Sequence, residues 1–279
     1  MIIWLASYPK SGNTLLRSIL STYFYSEDGV LKFENLNKIS QFPRTHHFLP
    51  LGIDIDNEKE VFKNFINAQN LINEEKGKIK FFKTHSALCK IHDCNFTDLK
   101  NTLGTIYIVR DPRNVVTSFA NHYSLNIDEA TESILDDSRF MEKTFKNCRV
   151  FLGSWSSNYN SWKHFQKQKK YLLIKYEDLI TKKKSVILKI FKFFETLGFK
   201  SEIDMIKLNK VIKTTDFNNM KAKEQKETFH EALIDDITGK RKIFFNLGPK
   251  NDWRRNLDEK NKEKIETNFY NEMKELEYL

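Results

Sequence analysis

Cysteine is scarce, with Cys89, Cys94 and Cys148 the only three in 279 residues. An odd and sparse set excludes the dense, paired framework of a small secreted scaffold and points to a reducing compartment. Cys89, His92 and Cys94 cluster, yet no fourth ligand stands at a recognisable zinc spacing, so no metal is expected. Also missing is any run of about 18 apolar residues, so no membrane span is read. The apolar start, residues 1–6, runs straight into Ser7-Tyr8-Pro9-Lys10 with no basic leader, so no targeting segment is read and a soluble, cytoplasmic protein is expected. Internal repeats, low-complexity linkers and composition breaks are absent too. At this length one hydrophobic core suffices, and a single domain over residues 1–279 is the expectation.

What is present is a core-forming composition, 40% hydrophobic and 13% aromatic with 23 Phe, which a disordered chain would not carry. The 46 basic residues against 37 acidic give +9, which favours an anionic partner without choosing among nucleotide, nucleic acid, glycan and membrane surface. Short β-branched and aromatic runs at residues 2–6, 79–83, 105–109 and 171–175 read as buried strands. They alternate with helical patterns. The class is therefore α/β, one central parallel sheet flanked by helices. Residues 185–197 carry an apolar stripe that stops at Gly198, and Asp258 can cap a last helix with Ile265, Phe269, Met273 and Leu276 inward. The stretch 218–242 is the least patterned and reads as a lid or surface excursion.

Chemistry concentrates where strands end. Tyr8-Pro9-Lys10-Ser11-Gly12-Asn13-Thr14 joins the first strand to a helix start, where unpaired N–H groups and the helix dipole attract an anion. Lys10 adds a full charge, and Ser11, Asn13 and Thr14 add side-chain donors. It is not a Walker A loop, because Lys10 precedes Gly12 and no second glycine lies upstream. Arg110 ends the third apolar run at the edge where open α/β sheets bind ligands, and a guanidinium matches phosphate bidentately. A salt bridge to Asp111 or Glu177 is its structural alternative. His85 ends the second run, two residues after Lys83 on the same strand face.

Taken in order, these segments resemble the sulfotransferases that use 3′-phosphoadenosine 5′-phosphosulfate (PAPS). Tyr8 to Thr14 is similar to that family's 5′-phosphosulfate loop, the P-loop-like element of its nucleotide-binding core. Lys83-Thr84-His85 resembles its Lys-Thr-His, whose histidine is the catalytic base. Val109-Arg110-Asp111-Pro112-Arg113-Asn114 with Ser118 resembles its 3′-phosphate site. Tyr176-Glu177-Asp178-Leu179, Thr215-Asp216-Phe217 and the closing stretch 244–253, which contains Gly248, resemble further family segments, so the likeness runs to about residue 257.

The resemblance implies that Lys10, Lys83 and His85 act in catalysis. Lys10, Ser11, Gly12, Asn13, Thr14, Arg110, Ser118, Tyr176, Thr215, Phe217 and Gly248 would then bind PAPS as co-substrate, with no metal. It further implies a hydroxyl or amine acceptor, a small molecule or glycan rather than a nucleic acid. Two departures stand out. The family's Arg-Lys-Gly is Asn246-Leu247-Gly248 here, leaving Lys250, Arg241 or Lys242 to supply the cation, and its adenine-stacking Trp is Leu15. Its C-terminal dimer motif is not evident, so the oligomeric state stays open. Phe42, His46, His47 and Phe48 are candidates to line the acceptor pocket. A small-molecule or nucleoside kinase with a P-loop, and a non-catalytic polyanion- or nucleotide-binding protein, remain alternatives.

Overall fold

Strand β1 (Ile2–Ala6) is buried along its whole length and forms the centre of the sheet. It pairs in parallel with β2 (Lys80–Thr84) on one side and with β3 (Thr102–Val109) on the other. Strand β4 (Tyr171–Lys175) completes the parallel order β2-β1-β3-β4. The computed structural model describes residues 1–74, 79–199, 202–229, 231, 232, 234, 239 and 241–279.

Continuous apolar strands suit a parallel sheet covered on both faces, and alternation then decides which face each side chain serves. Ile2, Trp4 and Ala6 enter one core with Phe42, Phe96 and Trp162, whereas Ile3 and Leu5 enter the other. That second core is closed by α1 (Asn13–Tyr25), through Leu16, Ile19 and Leu20, and later by α4 (Lys183–Thr196). Each such leucine or isoleucine contributes about 1.5–3 kcal/mol by leaving water. The first core is closed by α2 (Pro112–Tyr123) and α3 (Trp155–Trp162). Asp111 caps α2 by accepting from the Arg113 N–H at 2.9 Å, with Pro112 in the first turn as its missing N–H allows.

The strands match expectation except at their ends, β2 lying one residue later and β3 starting at Thr102 after a register shift on β1. Residues 40–42 run beside β2 as a short extra edge. Lys83 N–H donates to the Ser40 carbonyl and Phe42 N–H to the Lys83 carbonyl, both at 2.9 Å. Asp258 caps α6 (Glu259–Asn268) through the Asn261 N–H, but that helix ends before Phe269 and a separate turn follows.

The stretch 218–242 differs more. It opens in α5 (Phe217–Lys226), capped by Asp216 through the Asn218 N–H at 2.9 Å. Met220 is its only buried residue, so apolar periodicity could not reveal it. Within the same stretch, residues 230, 233, 235–238 and 240 lie outside the described residues. Among the described residues, no helix is long and apolar enough to cross a membrane.

Candidate active site

Beyond β1 the chain turns sharply into α1, with Lys10 at φ 65° and Gly12 at φ 100°, both left-handed. Gly12 is required twice over, since a Cβ there would stand 2.4 Å from the Tyr176 ring. Asn13 turns inward, its amide donating to the Leu5 carbonyl at 2.9 Å and the Ser7 hydroxyl at 3.1 Å. The expectation that this side chain donates to a phosphate is therefore corrected: its amide N–H groups staple the loop, which leaves the backbone N–H as the donor for an anion. Ser11 Oγ is buried without a hydrogen-bond partner, a donor that an anion at the helix start would satisfy.

Arg110 follows the last residue of β3 and donates from Nη1 to the Lys10 carbonyl at 3.2 Å. Its guanidinium lies 4.4 Å from the centre of the Tyr176 ring, and its buried Nε has no partner. Neither candidate carboxylate forms an ion pair with it among the described residues. Asp111 is paired to Arg113 at 2.7 Å, and Glu177 accepts from the Asp111 N–H at 3.1 Å. The hydroxyl of Ser118, half-buried on α2, makes no hydrogen bond among the described residues. Ser11 Oγ and Arg110 Nε are thus orphaned donors on adjoining loops, which fits a ligand carrying two phosphate groups.

The opposite wall comes from the C-terminal third. Phe217 lies against Gly248, where a Cβ would meet the ring at 2.0 Å, so these two expected contacts do meet. Asn246 donates to the Asn121 side chain of α2 at 3.1 Å, which ties this turn to the Ser118 helix. Thr215 is a correction. It is fully buried, and its hydroxyl donates to the Val211 carbonyl at 2.7 Å rather than outward. Lys250 is exposed and without an ion pair among the described residues. Arg241 donates to the Phe229 carbonyl at 3.2 Å, and Lys242 to the Ser124 hydroxyl. Lys221, which the sequence reading missed, donates to the Asn246 carbonyl at 2.9 Å. Its position four residues after Phe217 on α5 was the available signal.

At the reactive end, His85 Nδ1 lies 2.8 Å from the Ser7 carbonyl. A carbonyl only accepts, so Nδ1 carries the proton and Nε2 keeps a free lone pair. The Asn158 amide holds the His85 carbonyl at 3.0 Å. Burial, then Lys83, pulls the imidazole down to a pKa of about 3. Lys83 itself is lowered to about 8 by burial, with Arg17 and Arg44 adding to the effect against Glu231. Lys10 is lowered to about 7 by burial, then by Lys83 and Arg110, and its ammonium sits 4.4 Å over the Phe244 ring.

Glu231 is the anion among these cations, and the sequence reading missed it. It accepts from Thr14 Oγ1 at 2.9 Å, pairs with Arg17 and lies 3.9 Å from Lys83 Nζ. Burial would raise its pKa, but Arg17 and Lys83 outweigh that and hold the carboxyl well below the usual range. Arg17 is the only charged residue of α1 and is nonetheless buried, which was the sequence signal for an inward ion pair. Phe42 and Phe48 are fully buried and His47 nearly so, packed around Trp4 and Phe82. These three belong to the core rather than to a pocket wall. His46 is exposed. No group of three or more His, Cys, Asp or Glu that could hold a metal occurs among the described residues.

Comparison with known proteins agrees with this geometry. Residues 2–277 match the family described as Sulfotransferase domain. Sulfotransferase 1E1 of Rattus norvegicus is 26% identical over 271 residues, covering 96% of this chain and 82% of that protein. The amine sulfotransferase of Oryctolagus cuniculus is 24% identical, covering 98% and 81%. Among solved structures, mouse sulfotransferase SULT7A1 complexed with PAP superposes with a TM-score of 0.59 at 22% identity, covering 98% of this chain and 84% of that one. A retinol dehydratase complex with retinol and PAP gives 0.57 at 16%, covering 98% and 81%.

Proposed function

The chain belongs to the sulfotransferase-domain family, and from that premise we propose that it moves a sulfonate group from PAPS to a hydroxyl or amine acceptor. One observation carries the reading: the Arg110 guanidinium reaches the Lys10 carbonyl at 3.2 Å, so the two candidate phosphate-binding loops adjoin. The relative solved with 3′,5′-diphosphoadenosine (PAP), the desulfonated nucleotide, supports the same choice of co-substrate.

In this reading the backbone N–H groups of residues 11–14 and Ser11 Oγ hold the 5′ end. Arg110 and Ser118 hold the 3′-phosphate, which distinguishes this nucleotide from ATP. Tyr176 backs both Gly12 and Arg110. Phe217 against Gly248 meets the adenine, and Lys221 supplies the cation that Asn246-Leu247 lacks.

Sulfonate transfer breaks one S–O bond and makes another, so the protein must offset charge on the leaving oxygen and accept the proton of the attacking group. Lys10 does the first and Lys83 contacts the sulfonate oxygens. As the acceptor oxygen or nitrogen bonds to sulfur, His85 Nε2 takes its proton, since Nδ1 is committed to Ser7. A pKa of about 3 keeps the imidazole neutral. A bound polyanion beside Lys83 favours the imidazolium and so raises that pKa.

A thermal-shift series with PAP, PAPS, ATP with Mg²⁺ and an oligonucleotide tests the assignment. A ligand at 100 times its Kd stabilises by about 2.7 kcal/mol. PAP and PAPS should give the large shifts. Greater stabilisation by ATP with Mg²⁺, or by the oligonucleotide, refutes it.

A further inference from the structure

The cations around the reactive end are not equally satisfied. Arg17 donates to the Leu36 and Ile39 carbonyls at 2.9 and 3.0 Å and pairs with Glu231. Lys83 lies 3.9 Å from the same carboxylate. Arg110 and Lys10 face the nucleotide in the reading above. Arg44 is the exception. It is half-buried and makes no ion pair or side-chain hydrogen bond among the described residues, and its buried Nε has no acceptor.

Its place in the fold is fixed. Residues 40–42 run along β2, with the Phe42 N–H on the Lys83 carbonyl at 2.9 Å, and Gln41 bridges Lys83 in parallel. Arg44 therefore lies just past the carboxyl end of β2, the end that carries His85, and a bridge to Asn147 holds its backbone there. Electrostatic coupling agrees, since Arg44 acts on Lys83 and is itself acted on by Arg17 and Glu231. The neighbouring Arg17 has already taken a carboxylate from this chain, so this side of the cleft accommodates an oxyanion.

A guanidinium whose Nε is withdrawn from water without an acceptor is left under-satisfied, and its Nε and Nη groups present a planar fork suited to carboxylate or phosphate. We propose that the acceptor carries an oxyanion, a carboxylate or a phosphate ester, and that Arg44 binds it. The substrate class is then a hydroxyl- or amine-bearing acid rather than a neutral alcohol or phenol. This rests on the sulfotransferase reading, with Arg44 setting which acceptor His85 receives.

The test uses the full chain saturated with PAP, titrated calorimetrically with benzoate and with methyl phosphate. At least one probe should bind the wild type. Arg44→Gln should weaken that binding about tenfold or more, the scale of one charge-assisted contact. PAP affinity should stay unchanged, and Arg44→Lys should restore part of the probe affinity. If PAP binds but neither probe does, or if Arg44→Gln binds the probes as well as wild type, the acceptor assignment is wrong. If PAP itself fails to bind, the sulfotransferase reading falls first and takes this inference with it.

Discussion

The two walls of the cleft are anchored by different means. On the strand wall, Arg110 is held by the Lys10 carbonyl and His85 by the Ser7 carbonyl, and both follow strands packed on two sides. On the C-terminal wall, Phe217, Lys221 and Gly248 come from a helix with one buried residue and a half-exposed turn, joined to α2 by the Asn246–Asn121 bond. Backbone-anchored groups between two cores stay put, whereas segments with few buried contacts open at low cost. In the proposed mechanism the chemistry and the main phosphate anchors then lie on the strand wall, and the adenine contact and closure on the other.

Removing the base probes this division hardest. His85→Ala should lower kcat by about 10²–10⁴-fold, the usual worth of positioned proton transfer. PAP affinity should be unchanged, because in the proposed mechanism Nε2 serves the acceptor rather than the nucleotide. Undiminished turnover would take the chemistry away from the strand wall.

Glycines on the two walls offer the next comparison. Gly12→Ala forces a left-handed residue against the Tyr176 ring, in a loop pinned by Asn13. Strain of about 1–3 kcal/mol translates into roughly a 5- to 150-fold loss of PAP affinity. Gly248→Ala also meets an aromatic ring, that of Phe217, but on a half-exposed turn where the ring can swing aside. Its loss of PAP affinity should be smaller. Equal losses would mean that the C-terminal wall is as rigid as the strand wall.

The same asymmetry explains what could be read from sequence. Buried strands followed at once by Lys10, His85 and Arg110 were legible because apolar runs and the residues just after them are local features. Asn13 and Thr215 were misjudged because their hydrogen bonds, to Leu5 and Ser7 and to Val211, depend on how the backbone folds back. Glu231, on the far side of the chain from Arg17, was invisible because only tertiary packing brings them together. Phe42 and Phe48 looked like pocket residues in a polar loop, yet they fill the core beside Trp4.

Charge on the strand wall should also register in pH. With a pKa of about 7, Lys10 is charged below that value and increasingly neutral above it in the free protein. A bound polyphosphate favours the ammonium, so binding below pH 7 needs no extra proton, whereas above it one must be taken up. PAP affinity should therefore fall as pH rises through 7, by at most about tenfold per unit for one proton. Calorimetry in two buffers of different ionisation enthalpy would read the proton directly. Lys83, at about 8, meets the sulfonate in the proposed mechanism, so the slope should extend upward with PAPS in place of PAP. A flat PAP profile between pH 6 and 9 would mean that Lys10 does not meet the nucleotide.

The smallest effect separates two lysines of the C-terminal wall. Lys221 is half-buried on α5 and bonded to the Asn246 carbonyl, in the turn that also holds Gly248 against Phe217. Lys250 follows the same turn but is exposed. A solvated cation near a phosphate adds about 0.2–1 kcal/mol at most, whereas one steadied by a carbonyl and partly withdrawn from water reaches the upper end of that range or beyond. Lys221→Ala should therefore weaken PAP about fivefold, with a shallower salt dependence, while leaving kcat near wild type. Lys250→Ala should change neither. With Arg110 on the strand wall as the proposed principal anchor of the 3′-phosphate, the loss at Lys221 should stay modest. If Lys250→Ala proves the more damaging of the two, the turn reorganises when the nucleotide binds, and the cation comes from the side of the turn that now faces solvent.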